Sequence, residues 1–86
     1  MTYTYKTRGT CSSSVSIDVA ENGTINAVEF NGGCNGNLQG ISNLAQGEHI
    51  EKIIDKLKGI RCGGKETSCP DQLAKALEKI MGEMNA

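Results

Sequence analysis

Four cysteines carry most of the chemistry available to this chain: Cys11, Cys34, Cys62 and Cys69, in 86 residues that hold a single histidine, His49. A thiolate can bind a soft metal, attack a disulfide or pair with a second sulfur. No two of the four stand in C-x-x-C spacing, and six residues separate Cys62 from Cys69, wider than the two to four usual between zinc ligands. Local spacing is therefore weak, and the constellation of four is the stronger signal, because each cysteine falls where a strand or helix is expected to end. The leading expectation is a closed tetrahedral Zn(II) site with all four thiolates as ligands, tying two halves of a small domain together. A second reading is a thiol redox protein in which Cys69 attacks and Cys62 resolves. Cys69 is expected at a helix N-terminus, where the dipole favours a thiolate, and Lys58, Arg61 and Lys65 lie nearby in sequence. The plainest alternative is that the sulfurs are small buried hydrophobes.

Other residues carry weaker signals. Thr67 and Ser68 precede the same expected helix and, with Lys65, form a candidate anion site for a nucleotide or phosphate. An ordinary helix cap explains the same residues. The glycine-rich run from Asn31 to Gly36 matches no phosphate-loop spacing. His49 stands near a helix start and reads as a surface or capping residue. Serine- or cysteine-histidine catalysis would rest on that one ring, and no catalytic residue is assigned.

Composition bounds these readings. The net charge is −1, with nine basic and ten acidic residues, so the basic surplus of a nucleic-acid binder is absent. No apolar run approaches bilayer-spanning length, and no membrane partner is expected. The first residues show no apolar stretch behind a positive start, so a secretory signal is not expected and cytoplasmic residence is. In a reducing compartment cysteines serve as metal ligands or working thiols more often than as structural bridges. A hydrophobic fraction of 37% with 3% aromatics implies one domain, residues 1–86, with a thin aliphatic core of the kind that a metal, crosslink or partner reinforces.

The elements that must position the sulfurs follow from the apolar pattern. Residues 1–6 alternate and favour a strand. Residues 11–19 alternate, with Cys, Ser, Val, Ile and Val at the odd positions and Ser, Ser, Ser and Asp at the even ones, then Asn22-Gly23 signals a type I′ hairpin turn, and residues 24–31 return. With Asn22 and Gly23 central, Val15 faces Phe30, Ile17 faces Val28, Ser14 faces Asn31 and Ser16 faces Glu29, which separates an apolar face from a polar one. Nearer the turn the match weakens, since Val19 would face Asn26. Extended outward, the register sets Cys11 opposite Cys34 on the core side. Such a pair would be hydrogen-bonded, the wider of the two antiparallel pair types, which disfavours a disulfide. Gly32-Gly33 is the place where that ladder can end or bulge. Residues 31–37 read as a loop, Leu38, Ile41 and Leu44 as a short helical turn ending near Gly47, and 48–58 as a helix with the stripe Ile50, Ile53, Ile54 and Leu57. Gly59 suits a left-handed helix end with Ile60 making the apolar contact after it. A last helix begins between Ser68 and Asp71, a capping-box pair, and carries Leu73, Leu77, Ile80, Met81 and Met84. The expected architecture is α+β: a three-stranded antiparallel meander with two main helices packed on one face.

The run Thr67-Ser68-Cys69-Pro70-Asp71-Gln72-Leu73-Ala74 resembles the signature of the TSCPD domain, which takes its name from that pentapeptide. Over essentially its full length the chain also resembles small stand-alone bacterial proteins with four cysteines. Residues Gly33 to Ile41 and Leu57 to Gly63 support the likeness. Such domains are otherwise found near the C-terminus of adenosylcobalamin-dependent ribonucleotide reductases, so the resemblance implies a partner or pathway link to that enzyme. It does not carry over the activity: ribonucleotide reduction needs a large barrel with radical, nucleotide and cobalamin sites, and the reductase's C-x-x-C redox pair does not occur here. The expectation is a non-catalytic accessory or interaction domain.

Overall fold

The structure, a computed structural model, describes residues 2–7, 12–32, 35–61 and 67–84, and the side chains of these except at 35–37. Three strands, β1 (Thr2–Lys6), β2 (Ser12–Val19) and β3 (Ile25–Gly32), form one antiparallel sheet in the order β1-β2-β3. Three helices follow: α1 (Asn35–Ala45), α2 (Ile50–Leu57) and α3 (Cys69–Met84). Val15, Ile17, Val19 and Ile25 turn one sheet face inward, where they meet Ala45, Ile50, Ile53, Ile54, Leu73, Ala76, Leu77 and Ile80. The other face is polar and carries short side-chain bonds, among them Thr4 to Ser16 and Asn31 to Ser14. This is the expected α+β meander with helices on one side.

The central register is the expected one, with Val15 opposite Phe30 and Ile17 opposite Val28. Its origin differs. Among the described residues none other than glycine has a positive φ, whereas a type I′ turn would need Asn22 there as well. Instead Gly23 (φ +90°) closes a three-residue loop: its N–H donates to the Ala20 carbonyl at 2.9 Å, and the Ala20 N–H donates to the Thr24 carbonyl at 2.9 Å. A bulge at Asn26 then sets Val19 opposite Ile25 and shifts the ladder by one step. The loop and the bulge compensate each other, so the middle rungs match those of a two-residue turn. The bulge also removes the awkward Val19–Asn26 pair, and Val19 and Ile25 are both buried.

At the far end a second bulge, at Ser13, pairs Ser12 with Gly32 where the unbroken register would have offset them. Because side chains alternate along a strand, one extra residue exchanges the faces beyond it. Ser12 is buried and Ser13 exposed, the reverse of the simple alternation.

The first helix departs from expectation. Residues 35–37 are helical, not loop, and the expected short turn is the eleven-residue helix α1. Its buried positions are Leu38 and Ala45, with Ile41 packed against the core, while Leu44 is 78% exposed. His49 caps α2: its Nδ1 accepts from the Glu51 N–H at 3.2 Å, so Nε2 holds the ring proton and donates to the Asn22 carbonyl at 3.0 Å. With the Ile50 N–H donating to the Gly23 carbonyl at 2.9 Å, the cap pins the hairpin turn to the start of α2. Gly59 takes the left-handed conformation expected after α2 (φ +87°), but Ile60 stays 41% exposed instead of making the apolar contact. Lys58 pairs with Glu78 of α3 at 2.9 Å, which raises its pKa above the ordinary lysine value.

Candidate functional site

The polar chemistry of the fold concentrates where α3 begins. Ser68 is the helix cap: its hydroxyl accepts from the Asp71 N–H at 3.2 Å and donates to the Ile60 carbonyl at 2.6 Å. Pro70 falls in the first turn, where the missing N–H costs little. A capping box would send the Asp71 carboxylate back to the cap's own N–H. Here it reaches further. One oxygen accepts from the Gly59 N–H at 2.7 Å, and the other accepts from the Thr67 hydroxyl at 2.5 Å, with Lys75 Nζ at 3.4 Å. Thr67 Oγ1 in turn accepts from Gln72 Nε2 at 3.0 Å. Asp71 is 3% exposed. Burial works against its charge, but the Thr67 hydroxyl, the Gly59 N–H and the Lys75 ammonium together outweigh burial and hold the carboxyl below its ordinary value. The segment after α2 is thus fastened to the start of α3 at two consecutive residues, Gly59 and Ile60.

Cys69, the first residue of α3, is buried. Its Sγ lies 3.3 Å from Ser12 Oγ, which crosses from helix to sheet. Ser12 Oγ also lies 3.3 Å from Thr7 Oγ1, and the Thr7 hydroxyl donates to the Ser12 carbonyl at 2.6 Å. Ser12 and Thr7 are both buried. Neither residue stands out in the sequence. The Ser13 bulge is what turns Ser12 inward, and only the run of three serines, in which no position demands burial, hints that the strand can slip there.

Of the expected sulfur ligands, Cys69 is described, and Cys11, Cys34 and Cys62 lie outside the described residues, as does Lys65 of the expected anion site. The described residues that lead to those cysteines do converge. Ser12, which follows Cys11, touches Cys69. Gly32, two residues before Cys34, pairs with Ser12. Ile60, two residues before Cys62, bonds to Ser68 beside Cys69. Among the described residues no group of three or more His, Cys, Asp or Glu side chains is arranged to hold a metal ion. The hydroxyls of Thr67 and Ser68, named for the anion site, are engaged within the chain, and the Asp71 carboxylate stands against them.

Do the residues fit a metal? Cysteine sulfurs are the donor set of closed structural zinc sites. The one sulfur described is buried at a helix start, with a hydroxyl in reach that can donate to a ligated thiolate. That surrounding fits a metal ligand.

A three-stranded meander backed by helices, with a buried cysteine opening the last helix under a threonine–serine cap, defines a small α+β cysteine domain. The TSCPD domain model matches residues 1–81, and the chain belongs to that family. The pentapeptide Thr67–Asp71 is the cap, sulfur and buried carboxylate just described. Comparison with curated proteins gives no match, and comparison with solved structures gives none either. No helix among the described residues is long and apolar enough to cross a membrane.

Proposed function

We propose that this chain is a non-catalytic accessory domain in which Cys11, Cys34, Cys62 and Cys69 hold one structural Zn(II), and that it acts as an interaction module in the cytoplasm, with ribonucleotide reductase as the partner suggested by its family. The carrying observation is the convergence at the start of α3. Described residues within two places of each cysteine meet there: Ser12 lies against Cys69, Gly32 pairs with Ser12 in the sheet, and Ser68 donates to the Ile60 carbonyl. An extended residue spans about 3.3–3.6 Å, so one or two residues of chain beyond those contacts would suffice to bring Cys11, Cys34 and Cys62 toward Cys69. Bound zinc would supply a crosslink between hairpin and helices that a core of small aliphatic side chains lacks.

The chain's own residues prepare that crosslink. Asp71 and Ser68 hold Gly59 and Ile60, and so the approach to Cys62. The Ser13 bulge brings Ser12, and so the approach to Cys11, against α3. The redox reading asks for an exposed Cys69, and the side chain is only 9% exposed.

Elemental analysis of the full chain, purified without chelators, tests the reading. One zinc per chain is expected, with release on chelation and with loss of binding when any one of the four cysteines becomes serine. Absence of metal together with free alkylation of all four thiols would overturn it. Absence of metal with a thiol that alkylates well below the ordinary cysteine pKa would favour the redox alternative.

A further inference from the structure

The hydroxyls beside Cys69 form an ordered array, and counting their protons shows what it can do. Thr7 spends its proton on the Ser12 carbonyl at 2.6 Å, which leaves its lone pairs toward Ser12. Ser12 has one proton, and Thr7 Oγ1 and Cys69 Sγ each lie 3.3 Å from its hydroxyl. While Cys69 is a thiol, it can donate to Ser12, Ser12 to Thr7, and Thr7 to the carbonyl, each bond running the same way. A metal-bound sulfur has no proton and can only accept. Rotating the Ser12 hydroxyl alone then turns its proton from Thr7 Oγ1 to the sulfur, while Thr7 keeps its proton on the Ser12 carbonyl. No heavy atom has to move.

The residues are built for this. Ser12 and Thr7 are 4% and 8% exposed, so water competes poorly for either hydroxyl. The Thr7 N–H also donates to the Ser13 carbonyl at 3.1 Å, which braces the bulge that turns Ser12 inward. Donors in this position fix the orientation of a metal ligand and tune its charge.

We propose that Ser12, positioned by Thr7, is the outer-sphere hydrogen-bond donor to the Cys69 sulfur of the metal site. This rests on the four-thiolate reading above. Ser12 is a positioning residue and contacts no metal itself.

The test is zinc affinity of the full chain by chelator competition, with the cobalt(II) form followed through its sulfur-to-metal charge-transfer band. Ser12→Ala is expected to weaken zinc binding by about 10–100-fold, the usual cost of removing such a partner, and to shift the band. Ser12→Thr, which keeps the hydroxyl, restores both. Thr7→Val, which removes the positioning hydroxyl at nearly constant shape, gives a smaller loss in the same direction and serves as the readout should Ser12→Ala fail to fold. Unchanged affinity and an unchanged cobalt spectrum in Ser12→Ala, or in Thr7→Val where that variant is the readout, overturn this inference while leaving the zinc site standing. A wild-type chain that binds neither metal overturns the zinc reading and this inference with it.

Discussion

Asp71→Asn is the sharpest probe of how the start of α3 is held. The carboxylate accepts from two donors, the Gly59 N–H and the Thr67 hydroxyl, and pairs with Lys75. The amide keeps the shape but offers one acceptor oxygen where there were two, so that with Oδ1 kept on the Gly59 N–H its NH2 faces the Thr67 hydroxyl and the Lys75 ammonium. At least one hydrogen bond to a charged acceptor is lost, worth about 1.5–3 kcal/mol. The Lys75 pair adds little, roughly 0–1 kcal/mol, since the lysine is half-exposed. Gly59 is exposed and its N–H can turn to water, which keeps the total near the lower end, about 2 kcal/mol. For a domain of this size that lowers Tm by roughly 8–16 °C. The pH dependence has a definite sign. A carboxyl held below its ordinary value of 3.8 when folded contributes stability that is fully present above that value and is lost as pH falls through the folded pKa. The gap between wild type and Asp71→Asn is therefore widest near neutrality and closes below the ordinary carboxyl range. Urea melts at several pH values, run in chelator so that metal release does not intrude, measure it. A gap that stays constant down to strongly acidic pH, or a Tm shift under about 2 °C at neutrality, would refute the argument.

Gly23→Ala combines two penalties, a left-handed φ of +90° and a new Cβ 2.5 Å from His49 Nε2. The backbone term alone is about 1–2 kcal/mol, and displacement of the histidine adds to it, so thermal melts are expected to show a larger loss than for Gly47→Ala, where φ is +87° but the space is open. Equal losses in the two variants would remove His49 from the explanation. Ser68→Ala deletes the α3 cap and is expected to cost about 1 kcal/mol by denaturant melt. Because Ser68 also donates to Ile60, hydrogen exchange should quicken in the segment before Cys62 as well as in the first turn of α3, and a change confined to α3 would contradict that link.

The middle of the hairpin was legible because alternation and pairing express the same burial pattern: Val15, Ile17, Val28 and Phe30 leave little choice of partner. The bulges were legible only in part: Gly32-Gly33 marked the far end of the ladder as a place for one, but the extra residue is Ser13 on the facing strand. Asn26 and Ser13 are polar residues whose extra place in the ladder depends on what packs at either end, and a period-two pattern carries no record of it. The Asn22-Gly23 signal located the turn but not its type, because Gly23 alone takes the positive φ. Helix α1 was under-read for a different reason. Residues 35–40 hold two glycines and two asparagines, poor helix formers, and packing of Ile41 and Ala45 with the core, together with burial of Leu38, overrides them. At the site, Ser68 and Asp71 announced a cap, and the cap is there. The reach of Asp71 to Gly59, and the burial of Ser12 and Thr7 beside Cys69, are contacts between segments distant in sequence, and no local spacing encodes them.

The paired offsets in the sheet have a consequence for how the domain can change. Between Ser13 and Asn26 the rungs form an interval insulated from both ends, so loop-length variation near Gly23 need not propagate to Ser12, and repacking around Cys69 need not disturb the His49 clasp. A chain organised this way can diversify its two poles, the His49 clasp and the surroundings of Cys69, independently.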